Sequence, residues 1–379
     1  MSLRLSVARV LSLAVAVVVS PLLLAPAAAQ AQGGPWTVVS SPDATAGNND
    51  LAAVATVSAS DVWAVGSAEN SLGNDQPLAE HWDGAAWSIV PTPTVVTGHL
   101  SGLAAISSAD VWAGGSMLLS ARGNEAQFEH WNGRKWTIAK SPATTAGIAG
   151  MAAVSSNDVW AVGSIVSGFV AQTFIEHWNG KRWAVVPSPN DGTGTNLLNA
   201  VTAISANDVW AVGQFQDASG ATQTLTEHWD GTSWSVVASP SASPGAEFLG
   251  AAAVSSRNVW AVGLSGSATL IEQWNGTNWA VVPSPNPAGT LANILFGVAV
   301  VSANDIWAVG ESQNATSGIP STLIEQWNGT SWSIVASPSP GSAASLRGAA
   351  ADPTSGQAWA VGNFRSPSGA DQTLIEFNA

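Results

Sequence analysis

Seven glutamates recur at one position of a repeated pattern: Glu80, Glu129, Glu176, Glu227, Glu272, Glu325 and Glu376. His81, His130, His177 and His228 follow the first four directly, and Gln273, Gln326 and Phe377 take that place after the others. A ring of carboxylates could bind Ca²⁺ or do acid–base work, and four histidines could hold zinc. Neither set converges easily. Face-packed sheets lie about 10 Å apart, whereas zinc needs nitrogens at about 2.0–2.1 Å. Glycosidase carboxyl pairs stand about 5–10 Å apart, which equivalents on neighbouring sheets barely reach. The expectation is therefore structural: no metal, no cofactor, and carboxyls that accept hydrogen bonds from indole or backbone N–H groups. Each glutamate precedes by two a tryptophan such as Trp82 (Asn378 in the last unit), on the same strand face.

Charged residues outside the repeat are the other candidates. They are Asp75, Arg122, Glu125, Asp191, Asp217, Glu247, Glu311, Arg365 and Asp371, scattered with no paired spacing. His99, the one non-periodic histidine beyond the leader, reads as lying in a loop between Pro93 and Leu100, an acid–base candidate by elimination. There is no Cys, hence no thiol nucleophile, thiolate metal site or disulfide.

The elements that carry these residues come from a repeat. Trp63, Trp112, Trp160, Trp210, Trp260, Trp307 and Trp359 each sit in a version of Asp-Val-Trp-Ala-Val-Gly, separated by 49, 48, 50, 50, 47 and 52 residues. Downstream in each unit comes a second signature, as in Glu176-His177-Trp178-Asn179-Gly180 with Trp183. A period near 50 with fixed Trp and Gly offsets indicates propeller blades. In the third unit, Gly150 to Ser155 suits a crowded innermost strand, Ser156-Asn157-Asp158 a tight turn closed by the Asp side chain, and Val159 to Gly163 the second strand. Thr173 to Trp178 is the third strand, Asn179-Gly180 a two-residue hairpin, and Trp183 to Val186 the outer strand, stopped by Pro187-Ser188-Pro189. The apolar runs are too short, β-branched and Gly-broken for helices.

Six units are complete, and the seventh ends at its third strand, Leu374 to Phe377. Pro35 to Pro42, Trp36 included, is an outer strand with no inner strands before it. The expected fold is all-β: a seven-bladed propeller of four-stranded antiparallel blades, with the N-terminal strand completing the last. The blades span about 51–93, 100–142, 148–189, 197–240, 248–285, 294–338, and 346–377 with 35–42. Nineteen of the 20 Trp fall at periodic strand positions and Trp36 fills the same slot in the closing strand. They read as packing between blades, with an exposed sugar-stacking platform as the rival.

Residues 1–31 read as a secretory signal peptide: Arg4 and Arg9, an apolar run from Val10 to Leu24, then Ala27-Ala28-Ala29 before Gln30. Without it, 9 basic residues face 25 acidic ones, a net charge of −16. That speaks against nucleic acid and anionic lipid as partners. The expected protein is secreted and monomeric.

The Trp- and Gly-marked units resemble kelch-like propellers, including the central domain of galactose-oxidase-type proteins, over the whole mature chain. Only Gly114-Gly115 matches the kelch Gly-Gly doublet, and the Tyr of that pattern has no counterpart because the chain has no Tyr. The Asn/Asp-Gly-x-x-Trp segment is similar to part of a sialidase Asp-box, and the Trp-rich blades are similar to lectin propellers of the tectonin and fungal fucose-lectin kind. The resemblance excludes as much as it implies. Galactose-oxidase-type chemistry needs a Tyr–Cys ligand and sialidases a Tyr nucleophile, and both residue types are missing.

Turns between first and second strands, and between third and fourth, are short and alike. The second-to-third and blade-to-blade connections vary and share one face, the better place for recognition. The sequence therefore points to a non-enzymatic binding module for glycan, another extracellular polymer or protein. The alternative is a secreted carbohydrate-active hydrolase or lyase with its site on that face.

Overall fold

The computed structural model describes residues 35–118, 125–143, 146–240 and 245–379. The leader, with its expected cleavage site, lies outside them, as does Arg122. The described chain is all strand and turn, arranged as seven four-stranded antiparallel sheets. Each runs from an innermost to an outermost strand in chain order, as in Ala146–Ser155, Asp158–Ser167, Val170–Trp178 and Trp183–Val186.

The seventh sheet breaks that order. Thr37–Val38 lies beside Asp371–Asn378, in register Thr37↔Phe377 and Val38↔Glu376. Trp36 is buried and packs edge-on against Trp307, ring centroids 5.2 Å apart. The closing strand covers the edge that the third strand would otherwise expose.

Trp contacts hold blade to blade. Trp63 meets Trp136 of the next blade edge-on at 5.5 Å and Trp131 of that blade at 5.1 Å. Trp160 does the same with Trp234 and Trp229, and Trp359 with Trp87 and Trp82 across the closing seam. The second-strand and outer-strand tryptophans are buried. The third-strand set sits nearer the surface, and Trp131, Trp178, Trp229 and Trp274 donate their indole N–H to a turn carbonyl, as Trp178 to Ser156 at 3.1 Å.

Two turn readings need correction. The hairpin after Trp178 has four residues, because Trp178 pairs with Trp183. Asn179 keeps a negative φ; only Gly180 is left-handed, at +85°. The Asn179 side chain instead accepts from the backbone N–H groups of Lys181 and Arg182. In the first turn, Asp158 does not close the corner; Ser155 Oγ accepts from the Asn157 N–H, and Asp158 is engaged elsewhere.

Strands also extend beyond the apolar runs. Gln214 to Thr224 and Ser312 to Pro320 read as loops, yet Gln214↔Thr224, Gln216↔Thr222, Ser312↔Ser321 and Gln313↔Pro320 are paired. Polar side chains above the barrel axis have no core to fill, so hydrophobic periodicity ends before the ladder does.

Every innermost strand carries a β-bulge at the same place, and all but the seventh have a further register shift just before the first turn. The register skips Ala52, Ser101, Ala149, Asn199, Leu249, Phe296 and Arg347. The bulge pushes the preceding carbonyl toward the second strand, where any Cβ on Gly66 would overlap Asp50 O, and likewise at Gly115, Gly163, Gly213, Gly263, Gly310 and Gly362. That is why the repeated motif ends in Gly. The residue after each bulge is small, and at Gly150 a Cβ would stand 3.0 Å from Ala200 Cα of the next blade.

Candidate binding site at the channel mouth

The seven bulge residues project into the central channel, because a one-residue insertion reverses which way a strand's side chains face. They line a cavity of about 330 Å³ together with the two residues after each of them. They lie four to seven residues into the inner strands, at or just before mid-strand, and face the channel end that carries the variable connections. The flanking residues repeat; these seven differ. Around the ring, blades four to seven present Asn199, Leu249, Phe296 and Arg347, whereas blades one to three present Ala52, Ser101 and Ala149.

Arg347 carries the only charge in this lining. Its guanidinium lies over the Phe296 ring, 4.3 Å from the centroid. Glu311 Oε2 is 3.8 Å from one of its nitrogens, an ion pair beyond hydrogen-bonding distance. Asn199 donates to the Phe248 carbonyl at 2.7 Å, which fixes the amide across one seam. Arg347 also tempers Asp50 on blade one, whose carboxyl is pushed up to about 6, first by burial and then by the charge of Asp371. Sequence reasoning passed over Arg347 and Asp50. The available signal was a lone arginine where every other inner strand is uncharged at the equivalent position.

Of the nine off-repeat candidates, the structure groups few. Glu311 meets Arg347; Arg365 and Asp371 form a two-pronged ion pair at 3.0 and 3.1 Å. Asp217 caps its own turn, accepting from Ser219, Ala221 and Gln223. Asp75 pairs with Glu69 along a hairpin, Asp191 donates its N–H to Asn196, and Glu247 is raised by partial burial. The backbone of Glu125 lies in a strand, Glu125–Trp131. His99 is not in a loop: it sits on the inner strand Thr97–Ser107, exposed, opposite Ser116. There it borders a second cavity of about 280 Å³ that shares Ser101, Ala149 and Asn199 with the channel mouth.

The periodic histidines do not meet one another. Each Nε2 bonds the Asp of its own blade, His81 to Asp61, His130 to Asp110, His177 to Asp158 and His228 to Asp208, at 2.8–2.9 Å. Each ring also packs on its own second-strand tryptophan, as His130 on Trp112 at 4.2 Å. Gln273 with Asn258 and Gln326 with Asp305 do the same work without a ring. Among the described residues, no group of three acidic or histidine side chains is placed to hold a metal.

The seven glutamates are fully buried, one per blade, and the expected indole partners are not within hydrogen-bonding distance. Trp63, Trp112 and their equivalents keep unbonded N–H groups in the same seams. Serines of the preceding blade reach three of the acids: Ser141 to Glu176 at 2.8 Å, Ser188 to Glu227 at 2.9 Å, Ser337 to Glu376 at 3.5 Å. With no cation beside them, burial pushes Glu80, Glu129, Glu227, Glu272, Glu325 and Glu376 up to about 8 and Glu176 to about 7. At pH 7 the six at about 8 are mostly protonated packing groups, and Glu176, which accepts from Ser141, is about half ionised.

No protein-family model matches the sequence, and no curated protein matches it. Solved structures do. The WD40 repeats of RRP9 superpose with a TM-score of 0.60 at 10% identity, covering 91% of this chain and 98% of that one. YCF48 from Cyanidioschyzon merolae gives 0.56 at 14%, covering 91% and 98%. The GH74 xyloglucanase of Xanthomonas campestris gives 0.53 at 14%, covering 89% of this chain and 55% of the enzyme. The kelch-like type is not singled out among these neighbours. At such identities the likeness is one of fold, and the chain is a seven-bladed β-propeller of the architecture that WD40 and other propellers share.

Proposed function

We propose that this protein is a secreted, non-enzymatic interaction module that grips a glycan or another extracellular polymer at the channel mouth. One observation carries the reading: a scaffold repeated almost verbatim seven times varies at the seven side chains that converge on one cavity. Packing alone would let the repeat persist there, as it does one residue later, where only Gly or Ala occurs. Planar polar groups beside an aromatic ring suit a sugar, whose hydroxyls pair with guanidinium and amide edges while its apolar face meets Phe296. The neighbours include a xyloglucanase and a propeller with a D1 peptide bound, so the architecture accommodates polymer ligands of both kinds. The apolar leader supports export.

A glycan array probed with the chain lacking residues 1–31 tests this, alongside a hydrolase panel. Binding that falls when Phe296 or Asn199 becomes Ala, with no product release, is the expected result. The hydrolase reading draws on Asp50 and Glu311, carboxyls on the blades either side of Arg347, one of them raised to about 6. Turnover lost in Asp50→Asn and Glu311→Gln would establish it.

A further inference from the structure

We propose that the channel mouth holds the carboxylate of an acidic sugar at the end of a glycan chain, received by the unused edge of the Arg347 guanidinium. The proposal rests on the channel-mouth reading and narrows it to one ligand chemistry.

Arg347 is prepared for such a group. The Phe296 ring covers one side of the guanidinium, and the N–H donors lie in the guanidinium's own plane, around its edge. Among the described residues none accepts a hydrogen bond from it; Glu311, 3.8 Å away, steadies the group without saturating its donors. Arg is the side chain whose fork matches a carboxylate with two parallel hydrogen bonds. It is also the single cation in a lining otherwise made of small, aliphatic, aromatic and neutral polar residues. In a chain with 25 acidic and 11 basic residues, a half-exposed arginine set into an uncharged channel is conspicuous.

Shape supplies the second half. Asn199, Leu249, Phe296 and Arg347 form a wall over blades four to seven. Over blades two to four the mouth opens into the neighbouring cavity, bordered by His99, Ser116 and Ser164. At about 330 Å³ the well has room for roughly one or two sugar rings. A chain entering across the hydroxyl-lined side meets the wall and ends there. An internal segment would have to run on past these four larger side chains. The ligand is therefore read at its terminus, with Arg347 at the stop.

Calorimetry with two linear tetrasaccharides tests it, alike except that the non-reducing terminal ring is glucuronic acid in one and glucose in the other. The acidic probe is expected to bind about 10- to 100-fold tighter. Arg347→Gln should erase that preference, and Arg347→Lys, a point charge without the fork, should restore only part of it. Ala149→Trp and Ala52→Trp fill the mouth from two sides and should abolish binding of both probes, with melting midpoints confirming the fold. Equal affinity for the two probes, still lost on filling the mouth, overturns the acidic-sugar inference and leaves the site in place. Binding unaffected by either Trp variant overturns both. So does failure of the wild type to bind either sugar, and binding instead of a peptide through its free C-terminal carboxylate would replace the glycan end with a protein end.

Discussion

Replacing Glu129 with Gln should stabilise this protein at pH 7 and do nothing at pH 4. Glu129 is fully buried, and neither carboxyl oxygen has a hydrogen-bond partner among the described residues. Burial raises it from 4.5 to about 8. Below pH 4.5 both the folded and the unfolded chain hold the proton, so the group contributes no pH dependence. Above 4.5 the unfolded chain releases it while the folded chain keeps it until about pH 8. Each pH unit in that window costs about 1.4 kcal/mol of stability for the one group. At pH 7 the loss reaches about 3 kcal/mol, and a neutral amide of the same shape avoids it. That corresponds to a rise of roughly 5 °C in melting midpoint for a chain of this size. Calorimetric melts of both proteins from pH 4 to 8 are the assay. Curves that coincide near pH 4 and diverge as pH rises support the reasoning. A variant equally destabilised at every pH would refute it, because the carboxyl would then be ionised and held by a partner. The wild type itself, with seven such groups, should melt highest near pH 4–5 and progressively lower toward pH 8.

Other consequences are simpler to check. Trp36→Ala removes a buried ring from its contact with Trp307 and should cost about 3–5 kcal/mol in chemical denaturation, as should deletion of residues 30–42; an unchanged midpoint would count against the closure. The quadruple variant in which His81, His130, His177 and His228 become Gln should lose little stability, since Gln273 and Gln326 already pair with Asn258 and Asp305; a collapse on urea titration would assign the imidazoles a further role. Purified protein should contain no stoichiometric metal by elemental analysis, and chelator should leave its melt unmoved. Replacing residues 315–319 with Gly-Ser should be mild, whereas extending the replacement to 312–320 should destabilise further, because Ser312↔Ser321 and Gln313↔Pro320 are ladder pairs.

The blades and their closure were legible because each depends on residues that announce themselves. Trp needs burial, Gly marks the bulge partner, and a strand such as Pro35 to Pro42 without companions asks for an edge. The site was less legible. A bulge shows no composition of its own, and period-two reading of Gly-Ile-Ala-Gly-Met cannot tell that the register skips Ala149. Arg347 in Ala-Ser-Leu-Arg-Gly-Ala-Ala therefore drew no reading at all. The glutamates misled in the opposite direction: buried acid beside indole suggests a hydrogen bond, but the seams are set by ring packing, and the N–H vectors follow the rings.

The ring of small residues just behind the bulges, Ala53, Gly102, Gly150, Ala200, Gly250, Gly297 and Gly348, sets more than a channel width. It fixes how closely neighbouring blades approach at the axis, and so the wedge angle each subtends. Cβ atoms at Gly102, Gly150, Gly250, Gly297 and Gly348 would push against backbone of the next blade at 2.8–3.0 Å. Larger side chains there would widen the hub and favour an eighth wedge over a strained seven. The smallest residues thereby hold the ring to one blade number, while the positions one step away are free to differ from blade to blade.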